Sequence, residues 1–301
     1  MDRVLITGSQ GFIGRSMMEY LERKGYEVVG LDVGEGAGLR INILDSDALI
    51  AATKDAKPSH IIHLAAVSSP PACREDPQSC LKTNVLGTIN ALEAARLIGV
   101  ERFIFLSSAN VYGPRPATPV TEECPLAPRA LYDHSKVIAE KCVEAYNRLY
   151  GLPTVVFRSW KVFGEFDSRN SAISRFIRAC LEGGEIVLFN GGRDVTDPFH
   201  VENLCYASEL ALHSDDAVGQ TFNVGTGNAI SIKQLAVIIK NLTSSSATLR
   251  EAPPRSPEEA EPMVSYPSIE KISRVLKYRP VVGLEEGLKR LITHWKTVLS
   301  S

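Results

Sequence analysis

The chain opens with Val4-Leu5-Ile6-Thr7-Gly8-Ser9-Gln10-Gly11-Phe12-Ile13-Gly14, an apolar run that breaks into a loop with three glycines. An amphipathic segment carrying Met17, Met18 and Leu21 follows at once. A strand forced to turn directly into a helix leaves few folds open. Glycines are needed where the backbone turns tightly, approaches a pyrophosphate, or packs a helix against a strand, and the helix N-terminus then offers free N–H groups to phosphate. The spacing is G-x-x-G-x-x-G, so it matches the dinucleotide fingerprint in mechanics rather than in letters. A plain strand–helix turn is the simpler alternative. The candidate contacts are Gly8, Gln10, Gly11, Phe12, Ile13 and Gly14. Next, Glu27-Val28-Val29-Gly30-Leu31-Asp32 reads as a second strand ending in a carboxylate 18 residues beyond Gly14. An acid there accepts both ribose hydroxyls of an adenosine and repels a 2′-phosphate. Arg15 and Arg40 are the nearest cations able to offset it. The expected cofactor is NAD rather than NADP.

Strand-like runs near 3–7, 27–32, 39–43, 59–64, 102–107 and 154–159 alternate with helix-like runs near 12–24, 45–56, 84–98 and 130–150. That alternation predicts a parallel sheet with helices on both faces. Beyond Ser159 the pattern loosens. Residues 172–183 and 203–213 read as helices, and Gly183-Gly184 and Gly191-Gly192 bracket a short strand, Ile186–Phe189. Pro253 to Glu259 is a loop by composition. The last helix, near 284–299, carries Leu288, Leu291, Ile292 and Trp295 at helical spacing, as core residues do. At 301 residues the chain exceeds the ~150-residue single-domain expectation, which leaves room for an elaborated lobe or a second domain.

Two further motifs carry chemistry. Phe103-Ile104-Phe105-Leu106-Ser107-Ser108-Ala109-Asn110-Val111-Tyr112-Gly113 is a buried strand ending in a small polar patch, where open parallel sheets bind ligands. Ser107 and Ser108 either hold a substrate oxygen there or satisfy backbone groups at the strand end. Tyr132 and Lys136 stand four residues apart at the start of a helical segment and so share a face. A nearby ammonium favours the phenolate, and a phenol of pKa ~10 needs that help to act as a base at neutral pH.

A net charge of −2 with no basic block argues against nucleic-acid or membrane partners. No apolar run approaches the ~18 residues of a membrane span, and cytoplasm is the expected compartment. The six cysteines show no C-x-x-C spacing, so no zinc site is expected, and Cys73 and Cys80 read as free thiols in a reducing compartment. Of six scattered histidines only His200, beside Asp197-Pro198-Phe199, is placed near a ligand, with a packed structural role as the alternative.

Together these motifs resemble the extended short-chain dehydrogenase/reductase superfamily, in its NAD-dependent nucleotide-sugar epimerase/dehydratase branch. The likeness runs nearly end to end. It takes in His63-Leu64-Ala65-Ala66, Thr83-Asn84-Val85-Leu86-Gly87-Thr88, Tyr132/Lys136 and Arg158-Ser159-Trp160-Lys161-Val162-Phe163-Gly164. Later stretches are Phe222-Asn223-Val224-Gly225-Thr226-Gly227 and Leu276-Lys277-Tyr278-Arg279-Pro280. The resemblance implies a Rossmann-type doubly wound parallel sheet formed by 1–159 and 197–230. A smaller, interleaved C-terminal substrate-binding lobe is implied for 160–196 and 231–301. It implies NAD contacts at Asn42, Ile43, Leu64, Ala65, Ala66, Asn84 and Ser107, besides Tyr132 and Lys136. It also implies a homodimer through the helices near 84–98 and 130–150, with Leu86, Ile89, Leu92, Val137 and Ile138 at the interface unless they face the sheet.

In the implied chemistry Tyr132 removes a sugar hydroxyl proton while NAD takes the hydride, Ser108 holds the oxygen, and Lys136 lowers the phenol pKa and holds the nicotinamide ribose. Dehydrating relatives carry Asp-Glu where this chain has Ala109 and Asn110, which cannot exchange a proton at neutral pH, so elimination is disfavoured. The family's diphosphate-binding Asn is Lys161 here, the Arg of its Arg-Asp-Phe motif is Thr196 with Arg193 three residues earlier, and an Asp near the adenine is Asn42. Arg255 matches a late Arg on the nucleotide side of the substrate, or is a solvated loop residue. The expected substrate site is therefore Ser108, Ala109, Asn110, Tyr132, Lys161, Arg193 and Arg255. The expected reaction is C4 epimerisation of a UDP-hexose; a 4-keto-sugar-nucleotide reductase is the alternative, and a non-catalytic NAD-sensing protein a third reading.

Overall fold

The computed structural model describes residues 2–114, 116–167, 171–254 and 260–300. The first half alternates strands with helical segments, save that β2 leads directly into β3: β1 (Arg3–Thr7), α1 (Phe12–Arg23), β2 (Glu27–Asp32), β3 (Leu39–Arg40), α2 (Ser46–Ala56), β4 (His60–His63), two short helices α3 (Pro70–Glu75) and α4 (Pro77–Leu81), α5 (Gly87–Ile98), β5 (Arg102–Ser108), α6 (Leu131–Tyr150) and β6 (Thr154–Ser159). Then come β7 (Lys161–Phe163), α7 (Ala172–Glu182), β8 (Glu185–Phe189), β9 (Val195–Thr196), β10 (Pro198–His200), α8 (Val201–Leu212), β11 (Gln220–Val224), β12 (Ile230–Ser231), α9 (Ile232–Thr243), β13 (Thr248–Ala252), α10 (Glu270–Leu276) and α11 (Leu284–Ser300).

Seven strands form one parallel sheet in the order β3-β2-β1-β4-β5-β6-β11. The strands are apolar because both faces are covered. Val4 and Ile6 point into a cluster with Met17 and Leu21 of α1 and Leu204 and Ala207 of α8. Leu5, Ile61 and Phe103 face the other way, onto Leu49 of α2, Leu92 of α5 and Val143 of α6. A third cluster joins Phe176, Ile186, Ile239, Leu288, Leu291, Ile292 and Trp295, so the apolar stripe of the last helix is core, as its spacing predicts. The strand order reverses between β1 and β4, and a crevice opens there at the C-terminal strand ends. Among the described residues no helix is long and apolar enough to cross a membrane.

Several boundaries shift from the sequence reading. The strand expected over 39–43 stops at Arg40; Asn42 turns the chain, its carbonyl accepting from Asp45 N at 2.9 Å and its side chain from Leu44 N at 3.0 Å. The helix expected from 84 begins with a wide turn over Lys82–Leu86, and regular α geometry starts at Gly87, where a side chain would run into Ile43. Leu92, expected at a subunit interface, is fully buried against the sheet, whereas Leu86 and Ile138 are exposed.

The glycine loop shows why its residues are small. Gly8 has φ +73°, and a Cβ there would lie 2.7 Å from Ala65 N. A Cβ on Gly14 would overlap the carbonyl oxygen of Gly8. Gly14→Ala should therefore cost about 1–3 kcal/mol of overpacking. Urea denaturation checks this: the midpoint should fall with an unchanged m-value.

Candidate active site

The crevice is a cavity of about 850 Å³. It is lined by Gly8, Gln10, Gly11, Phe12, Ile13 and Gly14 from the loop, Asp32, Asn42 and Ile43 beyond β2 and β3, and Leu64, Ala65 and Ala66 after β4. Ser107, Ser108, Ala109 and Asn110 line it at the end of β5, with Tyr132 and Lys136 of α6 and Lys161 of β7. Gly11 caps α1 with no side-chain acceptor, so the first N–H groups of that helix stay available to an anion. The Asp32 carboxylate accepts from Gln10 N and Gly34 N, both at 2.9 Å, which ties the loop to the second strand and fixes the acid at the cleft edge. A glycine cradle that no Cβ could share, uncapped helix N–H groups and an acid one strand away fit a dinucleotide.

α6 meets the end of β5 along one stripe, Tyr132, Lys136 and Glu140, each one helical turn apart. Tyr132 is buried, and it lines the cavity together with Ser108, whose hydroxyl acts on the phenol. Lys136 Nζ donates to Leu106 O at 2.9 Å and lies 4.9 Å from the centre of the Phe105 ring. The Ser107 hydroxyl donates to Glu140, which in turn takes Arg158 of β6 bidentately, with Nη2 at 2.7 Å. Arg158 also donates to Tyr112 Oη at 2.9 Å, and Tyr112 donates to Asn223 at 2.7 Å. Ser107 thus lines the cavity while its hydroxyl serves the ion pair. Ser108 also lines the cavity, and its Oγ accepts from Asn110 N at 3.2 Å, which satisfies a backbone group at the strand end.

The electrostatics correct one expectation. Burial pushes the Tyr132 phenol up to about 12; the Ser108 hydrogen bond lowers it, Asp133 raises it, and Lys136 is not among its causes. Burial also pulls Lys136 down to about 8, against Glu140, which raises it. The ammonium is committed to a backbone carbonyl, so in the free protein Ser108 is what favours the phenolate.

His63 closes β4 behind Lys136. Thr88 donates its hydroxyl to Asn84 O at 2.7 Å, so it accepts from His63 Nε2 at 3.1 Å, and His63 Nδ1 accepts from Thr7 at 2.7 Å. Burial first, then Lys136, push His63 down to about 3.

Other expected residues lie elsewhere. Asn84 does not line the cavity: it accepts from Val67 N at 2.7 Å and donates to Ser135 Oγ at 2.9 Å, clamping the wall after β4 onto α6. Arg193 is exposed and held by Asn190, away from the cavity. His200 is buried as the cap of α8 and bonds Glu165 at 3.2 Å, taking the structural alternative. Arg255 lies outside the described residues. Lys161 is solvent-accessible, but the cleft surrounds it with protein, and that burial lowers its pKa while Asp133 raises it. Cys73 and Cys80, expected as free thiols, form a disulfide buried beside Tyr132. The two short helices α3 and α4 fold back on each other and bring the two Cα atoms to 5.0 Å, within disulfide range. Met263 and Ser265 are lining residues the sequence did not mark; they arrive by backbone pairing with Val195.

Over residues 4–225 the sequence matches the NAD dependent epimerase/dehydratase family. The chain belongs to that family. It is thus an NAD-dependent enzyme of the extended short-chain dehydrogenase/reductase type. It is similar to a putative UDP-glucose 4-epimerase of Methanocaldococcus jannaschii, at 32% identity over 97% of this chain and 98% of that protein. It is also similar to UDP-glucuronic acid decarboxylase 1 of Xenopus tropicalis, at 31% identity over 99% of this chain and 73% of that one. Its fold matches a UDP-glucose 4-epimerase from Thermotoga maritima, solved with UDP-glucose, at TM-score 0.92 and 28% identity over 99% of both chains.

The Lys136 ammonium sets a measurable pH dependence. Its pKa falls from 10.5 to about 8 on folding. Between those values the folded protein has released a proton that the unfolded chain still holds, so rising pH favours the folded state. From pH 7 to 10 the stability of the wild type relative to Lys136→Met should rise by about 2 kcal/mol. Urea titrations at several pH values check it; a constant difference would contradict the buried, shifted ammonium.

Proposed function

We propose that the protein is a nucleotide-sugar epimerase that inverts C4 of a UDP-hexose through a transient 4-keto sugar. The observation that carries this reading is the meeting of Ser108 and Tyr132 at the cleft, with Lys136 one turn behind and no acid at Ala109 or Asn110. Those residues suffice for moving one hydroxyl proton and lack the extra acid–base pair that elimination requires. In this reading 1–159 and 197–230 hold the dinucleotide, and 160–196 with 231–301 hold the sugar nucleotide.

Bound NAD supplies the hydride acceptor, returns the hydride, and in its oxidised form brings a positive ring to the cleft. Tyr132 takes the hydroxyl proton of the substrate and gives it back. Its phenol, near 12 in the free protein, acts as a base once positive charge sits beside it. Ser108 orients the same oxygen. Lys161 offers a cation to the diphosphate, a charge-assisted contact at the cleft wall. Two copies pairing through α5 and α6, with Leu86 exposed just before α5 and Ile138 exposed on α6, belong to the same reading; light scattering should give twice the chain mass.

An epimerase returns its own hydride. A UDP-hexose should thus convert to its C4 epimer with catalytic NAD, no change in mass and no net change in NADH absorbance. Tyr132→Phe should reduce that rate by ~10²–10⁴-fold while substrate binding persists. Stoichiometric NADH consumption on a 4-keto sugar nucleotide, without isomerisation of any unmodified one, would establish the reductase instead.

A further inference from the structure

Opposite the cleft, at the N-terminal ends of the strands, three residues far apart in sequence converge. Asp2 precedes β1 and its carbonyl accepts from Glu27 N at 3.1 Å, which fixes its backbone. His60 begins β4, and His213 ends α8. Asp2 Oδ2 lies 3.8 Å from His60 Nε2 and 3.9 Å from His213 Nδ1, and the three ligand atoms lie within 4.8 Å of one another. None of them lines the cleft.

His60 supplies the independent observation. It is 1% exposed, and neither ring nitrogen has a hydrogen-bond partner. Buried polar atoms are nearly always satisfied, so an orphaned imidazole aimed at a carboxylate and a second imidazole signals a missing partner. His213 is prepared as a ligand. Its Nε2 lies 2.7 Å from the Tyr26 hydroxyl; a proton donated there leaves the Nδ1 lone pair facing Asp2.

The geometry points to a divalent transition-metal site, of zinc type, formed by Asp2 Oδ2, His60 Nε2 and His213 Nδ1. Two imidazoles and a carboxylate are donors suited to zinc rather than to magnesium or calcium. Bonds of about 2.0–2.2 Å in tetrahedral array put neighbouring ligand atoms roughly 3.3 Å apart, so the two edges at Asp2 close by only about half an ångström. Arg102, in register with His60 on β5, sets positive charge against this ring, as His213 does when protonated; Arg102 is drawn toward Leu212 O and Asp215, each at 3.4 Å, while Asp2 and Glu101 bring negative charge. The metal would fasten the end of α8 to the starts of β1 and β4, a structural clasp with solvent at the remaining position.

The test uses the full chain without an N-terminal or polyhistidine tag, stripped with chelator and titrated with Zn²⁺ in a calorimeter. The wild type should bind one equivalent and unfold at higher temperature with Zn²⁺ present. His213→Ala and Asp2→Asn, both at partly exposed positions that the fold tolerates, should each bind at least about tenfold more weakly and lose the thermal shift. Co²⁺ substituted for Zn²⁺ should give a tetrahedral visible spectrum in the wild type alone. No saturable Zn²⁺ binding by the wild type, or equal binding by His213→Ala and Asp2→Asn, would overturn the site.

Discussion

The buried pair between Glu140 and Arg158 is the contact on which the active centre depends. Both side chains are almost wholly out of water, and a charge stranded there costs several kcal/mol, so the pair must form together or not at all. Its geometry leaves α6 no freedom. Glu140 faces β6 through Arg158 and β5 through Ser107, and a helix fixed at that residue has Lys136 and Tyr132 fixed one and two turns earlier. Consecutive residues at the end of β5 then each receive a different turn: Leu106 takes Lys136, Ser107 takes Glu140 and Ser108 takes Tyr132. Tyr132 and Lys136 are thereby positioned by a salt bridge further along the same helix.

A second line of hydrogen bonds reaches the same helix from the other side. It runs from Thr7 through His63 and Thr88 to Asn84, and Asn84 passes it to Ser135. The cleft wall is thus tied to α6 from two sides. Burial works against the charged form of both groups, pushing the phenol up to about 12 and pulling the ammonium down to about 8. Preorganised groups that need only an added field avoid reorganisation during the reaction.

The first half of the fold was legible because its signals are local. Glycines at 8, 11 and 14, the acid at 32 and the turn-spaced Tyr132 and Lys136 sit in segments whose periodicity names the element carrying them. The second half hid what depends on partners. Two-residue strands such as Val195–Thr196 and Ile230–Ser231 exist only because they pair with each other, and no pattern of that length is readable. Met263 and Ser265 reach the cleft along Val195, so their place follows from a pairing and not from their neighbours in sequence. Helix α9 did carry a readable stripe in Leu235, Ala236 and Ile239, which the sequence reading passed over. Cys73 with Cys80, and Asp2 with His60 and His213, are products of tertiary approach; spacing rules built for single loops do not see them.

His63 carries a lesson for kinetics. Enclosed by two threonines and pressed by a neighbouring ammonium, it stays neutral through the whole range in which enzymes are assayed. Histidine is the usual suspect for a rate that bends near pH 6 or 7. A bend in that region with this protein would have to come from a group other than His63, whose burial and neighbouring ammonium push it down to about 3.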